Sequence, residues 1–257
     1  MLHALLAASL LAVPGPLLAQ EPAEGLRDVR VTQVQGTVTL YTADDPEGVP
    51  AEVDTPLEPG DRLVTGAGST AELAFDSGES VVTINESSDF TLRDARRSAT
   101  VLELSSGGLL AKIKKLLEGE TLQVQAPAAV AAVRGTEFGV EAPAGEQTHV
   151  GVFDEGRVEV TGQAGPPQFL EPNQETSVVK GAPAQPPRGL QRFARRREFM
   201  RKVMRARVAR LRGRWRALPP QQRRELRRKA LARMRRRIRR RRQDRRGRWR
   251  EQRQERR

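Results

Sequence analysis

The sequence of 257 residues contains no cysteine, which excludes thiolate catalysis and cysteine-ligated zinc. Its formal net charge of +13 describes neither part of the chain. Residues 1–187 contain 12 Lys and Arg against 27 Asp and Glu, a charge of −15, whereas residues 188–257 contain 33 against 5, a charge of +28. An acidic part is therefore followed by a strongly basic one, and each is interpreted separately.

Residues 1–19 are predicted to be a secretory signal peptide. The segment is apolar but is broken by Pro14, Gly15 and Pro16, so it lacks the roughly 20 unbroken apolar residues of a membrane span. Its first residues include no Lys or Arg, which leaves an uncleaved anchor as the alternative. We expect a periplasmic or secreted protein without a transmembrane segment in the mature chain.

Short apolar stretches separated by Gly, Asp and Pro turns predict an all-β body over residues 28–181. Many short strands of this kind favour a sandwich or a jelly-roll-type stack over a parallel α/β sheet. Residues 109–117 are the exception, because their spacing fits either a short helix or a basic edge strand. Two hairpins are predicted: residues 71–75 with 81–84, and residues 150–153 with 158–160.

One polar group interrupts the apolar stretch 124–140, and it consists of Arg134, Gly135, Thr136 and Glu137, after which Phe138 resumes the apolar alternation. Glycine permits a turn or bulge that a Cβ would block. The charges of the arginine and the glutamate can then neutralise each other in a half-buried layer. We interpret the group as structural, an internal ion pair that fixes the strand register. The alternative is a binding role, in which Arg134 contacts a carboxylate or phosphate of a ligand or partner.

The sequence Ala-Val-Arg-Gly-Thr-Glu-Phe around this group resembles the signature of the FecR domain, a bacterial envelope domain. Motifs at residues 57–63, 76–80 and 154–160 extend the resemblance over residues 28–181. It implies a periplasmic β-domain that senses a ligand or partner. In the iron-signalling regulator that names the family, a cytoplasmic anti-sigma segment and a membrane helix precede this domain. Only the predicted signal peptide precedes residue 28 here, so the likeness does not extend to that segment.

Residues 182–188 are predicted to be a Pro-rich linker, and residues 189–257 an Arg-rich helical tail. Apolar residues recur at spacings of three and four from Leu190 to Leu218, among arginines, which predicts a basic amphipathic helix. Pro219 and Pro220 end this helix and permit a second one. The second helix has a thinner apolar stripe and is expected to fray after Ile238, because like charges follow one another there.

The charge of the tail requires anionic partners, and 31 of its 33 basic residues are arginine, which binds phosphate and carboxylate in a forked geometry. Anionic lipid or lipopolysaccharide of the envelope, an acidic protein partner, and the chain's own acidic β-domain all fit. Nucleic acid also fits but is disfavoured by export. A solvated, disordered tail is the remaining alternative. The candidate anion or membrane contacts are Arg195, Arg196, Arg197, Arg201, Arg205, Trp215, Arg235, Arg236 and Arg237.

No catalytic, cofactor or metal site is predicted. His149 is the single histidine after the signal peptide, and we expect it on a strand surface. The sequence contains no nucleophile elbow, phosphate loop or dinucleotide motif. Carboxylates such as Asp44, Asp45 and Asp154 lie in predicted turns, where solvation is their ordinary role. We therefore expect a protein that is not an enzyme and needs no cofactor.

Together these features predict a non-enzymatic, exported binding or scaffold protein. Its FecR-type β-body would carry a tail that contacts anionic envelope components or an acidic partner. The first alternative is a signalling regulator, in iron or envelope stress or a sigma-factor pathway, that acts through a separate membrane partner. The second alternative is a nucleic-acid-binding protein retained in the cytoplasm.

Overall fold

The computed structural model describes residues 25–143, 146–216 and 218–254, so the predicted signal peptide lies outside the described residues. The strands are β1 (Val29–Gln35), β2 (Val38–Thr42), β3 (Asp45–Pro50), β4 (Pro56–Leu57), β5 (Arg62–Thr65), β6 (Thr70–Phe75), β7 (Ser80–Ile84), β8 (Asp89–Asp94), β9 (Thr100–Lys112), β10 (Leu122–Gln125), β11 (Ala129–Val133), β12 (Glu137–Ala142), β13 (Gln147–Val152), β14 (Val158–Gly162), β15 (Gln168–Leu170), β16 (Gln174–Val179) and β17 (Arg188–Gly189). The helices are a 3₁₀ turn (Arg97–Ala99), α1 (Ala194–Phe199), a π-helical turn (Met200–Met204), α2 (Arg205–Arg214) and α3 (Pro220–Gln254).

The strands form two sheets that share the long strand β9. The first sheet has the order β4-β1-β6-β7-β9-β12-β13-β16-β17. The second sheet has the order β3-β2-β5-β8-β9-β10-β11-β14-β15. Strand β9 pairs in the second sheet up to Ser106 and in the first sheet from Gly107 onward. Gly107 has φ of +88°, a backbone conformation that suits the change of sheet.

The main core lies between the two sheets. Leu73, Ile84 and Phe138 of the first sheet and Leu63 and Phe90 of the second are fully buried and belong to one apolar cluster. Alternate side chains of each strand point to this cluster, as the period of two requires. The arrangement confirms the predicted sandwich-like all-β body with a helical C-terminal extension.

The two predicted hairpins have different outcomes. Strands β6 and β7 pair directly, which confirms the first hairpin. The second prediction is wrong, because β13 pairs with β12 and β16 in the first sheet whereas β14 pairs with β11 and β15 in the second. Residues 153–157 therefore cross from one sheet to the other. Both strands contribute apolar side chains to the same core, so alternation alone cannot distinguish a hairpin from a crossing.

The prediction for residues 109–117 is also wrong. Residues 109–112 are the end of β9, a central strand, and residues 113–117 are neither helix nor strand. Leu109 and Ala111 face the core between the sheets, while Leu110 faces a second apolar cluster on the other side of the first sheet. A strand that is covered on both faces has a continuous apolar run, which resembles a helical pattern in sequence.

The helices form a third layer. Helix α1, the π-helical turn and α2 follow one another without a break and pack on the outer face of the first sheet. Helix α3 contributes Ala230, Leu231 and Met234 to the main core. The two predicted helices and their boundary at Pro219 are confirmed, but α3 stays helical to Gln254 where fraying was expected after Ile238. No helix among the described residues is long and apolar enough to cross a membrane.

The predicted linker runs along the β-body. Ala184 is buried, and the Thr176 hydroxyl donates a hydrogen bond of 2.6 Å to the Gln185 carbonyl. The Gln185 N–H in turn donates to the Ser177 carbonyl over 3.1 Å. Strand β17 then pairs with β16, so the chain reaches α1 along a fixed path.

Candidate functional site

Residues 134–136 of the Arg-Gly-Thr-Glu-Phe group carry the chain from β11 in the second sheet to β12 in the first. Gly135 has φ of +128°, and a Cβ on it would lie 2.5 Å from the Lys115 Cα. Both the backbone conformation and the contact therefore require glycine at this position. The Thr136 N–H and carbonyl both bond to Ile113, which fixes the crossing against the end of β9.

The crossing at residues 153–157 stacks on this first crossing. The Thr136 hydroxyl donates to the Glu155 carbonyl. Gly156 has φ of +88°, and a Cβ on it would lie 2.4 Å from the Gly135 carbonyl oxygen. Two motifs about 20 residues apart thus form one compact structure, and Phe138, which follows the first crossing, is buried in the core.

The predicted ion pair between Arg134 and Glu137 does not form. The Glu137 side chain is fully buried and its Oε1 lies 2.5 Å from Lys112 Nζ and 3.6 Å from Arg205 Nε. Burial lowers the pKa of Lys112, but hydrogen bonds to Glu137 and Glu155 outweigh this and raise its pKa above the usual value. Arg134 is exposed, because the crossing directs its side chain away from the start of β12.

A slot on the outer face of the first sheet holds Phe193, the residue before α1. Gly139 and Gly151 are directly paired across β12 and β13, and ideal Cβ atoms on them would lie 2.9 Å and 2.5 Å from the Phe193 ring. The ring also packs edge-on against Phe153, with centroids 6.3 Å apart. Phe193 is fully buried together with Met200 and Met204, so this part of the tail is anchored by apolar contacts.

Asp154, in the turn after β13, is the centre of the ion pairs that surround this slot. Arg197 Nε lies 2.7 Å from its Oδ1, Arg201 Nη2 lies 2.9 Å from the same oxygen, and Arg205 Nη2 lies 3.6 Å from Oδ2. The hydrogen bonds from Arg201 lower the pKa of Asp154, as does Arg197, while burial acts in the opposite direction. The three arginines recur every four residues, so one face of the helix meets one carboxylate.

Buried Glu175 of β16 fixes the start of the helical tail. Its Oε2 accepts the N–H groups of Gln191 and Arg192 at 3.1 Å and 2.9 Å. Its Oε1 lies 3.2 Å from Arg188 Nη2. These two residues precede α1, so the carboxylate holds the turn that leads into the helix.

Helix α3 is attached to the other end of the body by ion pairs of its own. Arg235 forms two hydrogen bonds of 2.7 Å to Asp45. Arg237 Nη1 lies 2.8 Å from Glu52 Oε1. Arg227 binds Asp61 in a pair that is almost entirely buried. The apolar stripe of α3 lies between these arginines and reaches the main core, so charge and apolar contacts act on the same face.

The sequence-predicted contact residues separate into three groups. Arg195 and Arg236 are exposed and have no ion pair within the described part of the chain. Trp215 packs beside the Phe193 cluster, and the Arg30 guanidinium lies 4.4 Å from its ring centroid. The others all pair with carboxylates of the β-body, and they are Arg196, Arg197, Arg201, Arg205, Arg235 and Arg237.

Part of the chain matches a known protein family. Residues 61–159 match the sequence model of the family described as FecR protein. The chain contains a FecR domain. This FecR domain extends from the residue before β5 into β14, so it includes the shared strand β9 and both stacked crossings.

Two crystal structures of one candidate anti-sigma factor from Parabacteroides distasonis are similar to the chain. Both are 20% identical to it, with a TM-score of 0.45, over 51% of this chain and 61% of theirs. The chain therefore spans about three-fifths of the length of these relatives. No curated protein matches the sequence.

The sequence did not show which carboxylates of the β-body would pair with the arginines of the tail. The division of charge indicated that the tail could pair with the body, but Asp154 had been interpreted as a solvated turn residue. The glycine slot also escaped notice, although glycines in strands often mark a close approach. The sequence feature that indicates the slot is the pair Gly139 and Gly151, each of which interrupts an apolar strand at the position paired with the other.

His149 of β13 corrects a further expectation. It was predicted on a strand surface, yet it is 8% exposed. Burial lowers its pKa, and the nearby charge of Arg192 acts in the same direction. Burial thus favours the neutral imidazole, and the side chain is buried because the tail adds a layer that the strand pattern does not show.

Proposed function

We propose that this protein is a non-enzymatic signalling regulator that acts through protein contacts of its FecR domain. The match of residues 61–159 to the FecR family supports this role most directly. We therefore favour a signalling regulator over the binding or scaffold protein that the sequence alone favours. Its partners would bind the surface of the β-body, and no chemical step is required of any residue.

In this proposal the Arg-rich tail is an intramolecular partner of the acidic β-body. Phe193 in its glycine slot and the ion pairs at Asp154 and Asp61 support that role. Most of the pairs are partly exposed and individually contribute little, so the apolar anchor decides the strength of docking. A regulator with such a tail can change its available surface when the tail is released.

Export to the periplasm is part of the same proposal. It is based on the apolar residues 1–19, which lie outside the described residues. Mass spectrometry of the N-terminus and cell fractionation test it: we expect material that begins near residue 20 outside the cytoplasm. Full-length material confined to the cytosol would instead favour the nucleic-acid-binding alternative.

Deletion of the gene in its host tests the regulatory role. We expect the deletion to change transcription of a defined set of genes under iron limitation or envelope stress, and the full-length protein to restore it. Full-length protein with Phe193→Ala should fail to restore the normal level, while Phe199→Ala, which removes an exposed ring from the helix that Phe193 precedes, should succeed. A deletion strain with unchanged transcripts under both stresses would contradict the proposal.

A second candidate function, binding to an anionic envelope surface, is favoured by the far part of α3. Arg236, Arg239 and Arg240 are exposed and line one concave surface with Glu52. If they bind lipopolysaccharide or anionic vesicles, the wild-type protein should co-sediment with them, and this binding should fall steeply as the salt concentration rises. Changing all three arginines to Gln should abolish the binding. The matched control changes three other exposed arginines: Arg195, Arg224 and Arg228. Equal loss in both proteins would contradict a specific surface.

A further inference from the structure

A cleft of about 860 Å³ lies on the outer face of the second sheet, on the side of the body that the Phe193 slot does not occupy. Residues 115–121 form one wall. The floor consists of outward-facing residues of three neighbouring strands: Ala132 of β11, Glu159 of β14 and Phe169 of β15 are paired in one row. The cleft therefore begins where the crossing at Gly135 leaves the second sheet.

Two exposed cations line this cleft. Arg134 and Lys115 are exposed, and neither has an ion pair within the residues that the structure describes. The close approach of Lys115 to Gly135 keeps them adjacent, because any side chain at residue 135 would push the wall away. Arg134 is thus held at the mouth of the cleft, although its side chain forms no ion pair within the described residues.

Exposed apolar groups accompany these cations. Leu117 is 67% exposed and Phe169 is 46% exposed, and both line the cleft. Arg157 stacks on the Phe169 ring, with its guanidinium carbon 5.3 Å from the ring centroid, and its Nε donates 2.6 Å to Glu171. The stack holds the aromatic ring in place, while the charge of Arg157 is already paired with Glu171.

We propose that this cleft binds an acidic segment of a partner protein in which carboxylates alternate with large apolar side chains. Arg134 and Lys115 bind the carboxylates, and Phe169 and Leu117 cover the apolar side chains. Glu159 in the floor and exposed Glu118 in the wall repel a dense polyanion such as lipopolysaccharide or nucleic acid. Separated carboxylates can avoid them. The inference rests on the proposed function for its class of partner, a protein rather than a small molecule.

Fluorescence anisotropy with purified mature protein tests the cleft. The probe is a fluorescein-labelled, N-acetylated peptide, Phe-Asp-Leu-Glu-Phe-Asp, titrated at 150 mM salt. We expect saturable binding that Arg134→Glu weakens at least about tenfold, because a charge-assisted hydrogen bond is lost and a repulsion is added. Phe169→Ser should weaken it about fivefold or more. The matched control, Arg236→Glu, changes an exposed, unpaired arginine elsewhere and should bind as the wild type does.

Each other outcome overturns the inference. Equal weakening by Arg134→Glu and Arg236→Glu means that net charge alone attracts the peptide. Unchanged binding by Phe169→Ser, or full competition by millimolar inorganic phosphate, means a simple anion site. Thermal unfolding verifies the fold of each variant. We expect melting temperatures close to that of the wild type, because the changed side chains are exposed. The transcription assay and the peptide titration test different claims. If the cleft binds the peptide but deletion of the gene leaves transcription unchanged, the proposed function is wrong and the binding site stands.

Discussion

Arg227 and Asp61 form a bidentate ion pair between α3 and the turn before β5. Arg227 Nη1 lies 2.5 Å from Asp61 Oδ2 and Nη2 lies 2.8 Å from Oδ1. Nη1 also donates 2.9 Å to the Pro56 carbonyl. Burial raises the pKa of Asp61, and the hydrogen bonds and charge of Arg227 offset part of this effect. The body and the tail are thus joined by two charges that depend on each other.

Arg227→Met is expected to lower the free energy of unfolding by about 3–5 kcal/mol, because Asp61 loses its counter-ion while buried. Without Arg227 the pKa of Asp61 rises further. A carboxyl group whose pKa is raised by folding stabilises the folded protein at a pH below its unfolded-state pKa of 3.8. This stabilisation is lost as the pH rises through the pKa of the folded state. Urea unfolding at pH 4 and pH 7 should therefore give the larger loss at pH 7. The double variant with Asp61→Asn should recover part of it, and no recovery would contradict the coupling.

Asp154→Asn should loosen the first helical segment by about 1–2 kcal/mol, because the hydrogen bonds from the arginines lose the negative charge of their acceptor. The pKa of Asp154 is lowered, so its contribution is present above the unfolded value of 3.8 and is lost as the pH falls through the folded pKa. In a Trp249→Phe background, Trp215 fluorescence reports release of the segment. We expect a red shift on acidification that is weaker in the Asp154→Asn protein. Identical pH profiles would show that Asp154 does not hold the tail.

Phe193→Ala is expected to reduce the docking free energy of the tail by about 3–5 kcal/mol, because a fully buried ring leaves its slot empty. Phe199→Ala removes the same side chain from the same segment, but this ring is 37% exposed. Its effect should stay near or below about 1 kcal/mol. Hydrogen exchange of residues 194–214 measures both. Similar exchange in the two variants would contradict anchoring by the glycine slot.

Gly135→Ala should destabilise the FecR domain by at least about 1–3 kcal/mol, because an L-residue at φ of +128° is strained and its Cβ would contact the Lys115 backbone. Gly213→Ala, in α2 with open space around its Cβ, is the control. Alanine there should raise stability by up to about 1 kcal/mol. Thermal unfolding compares the two, and a stable Gly135→Ala protein would rule out the stacked crossings as a required feature.

Several features were accessible from the sequence because they depend on local patterns. Alternating apolar residues identified the β-body, and the spacing of apolar residues among arginines identified two helices separated at Pro219. The pairing of Glu137 with Lys112 rather than Arg134 was not accessible. It depends on β12 lying beside β9, a contact between residues 25 positions apart.

By itself, the sequence determined that an acidic β-rich part carries a basic helical part and that a glycine able to form a turn or bulge follows Arg134. These properties arise from composition, periodicity and backbone sterics, which act over a few residues. Only the tertiary structure decided which sheet each strand joins, which carboxylate each arginine meets and that Arg134 faces a cleft. Opposite charges attract without choosing partners, and strands of similar pattern fit either sheet. The choice comes from packing, because one arrangement buries both Phe193 and Phe138 while it gives Glu137, Asp154 and Asp61 cationic partners.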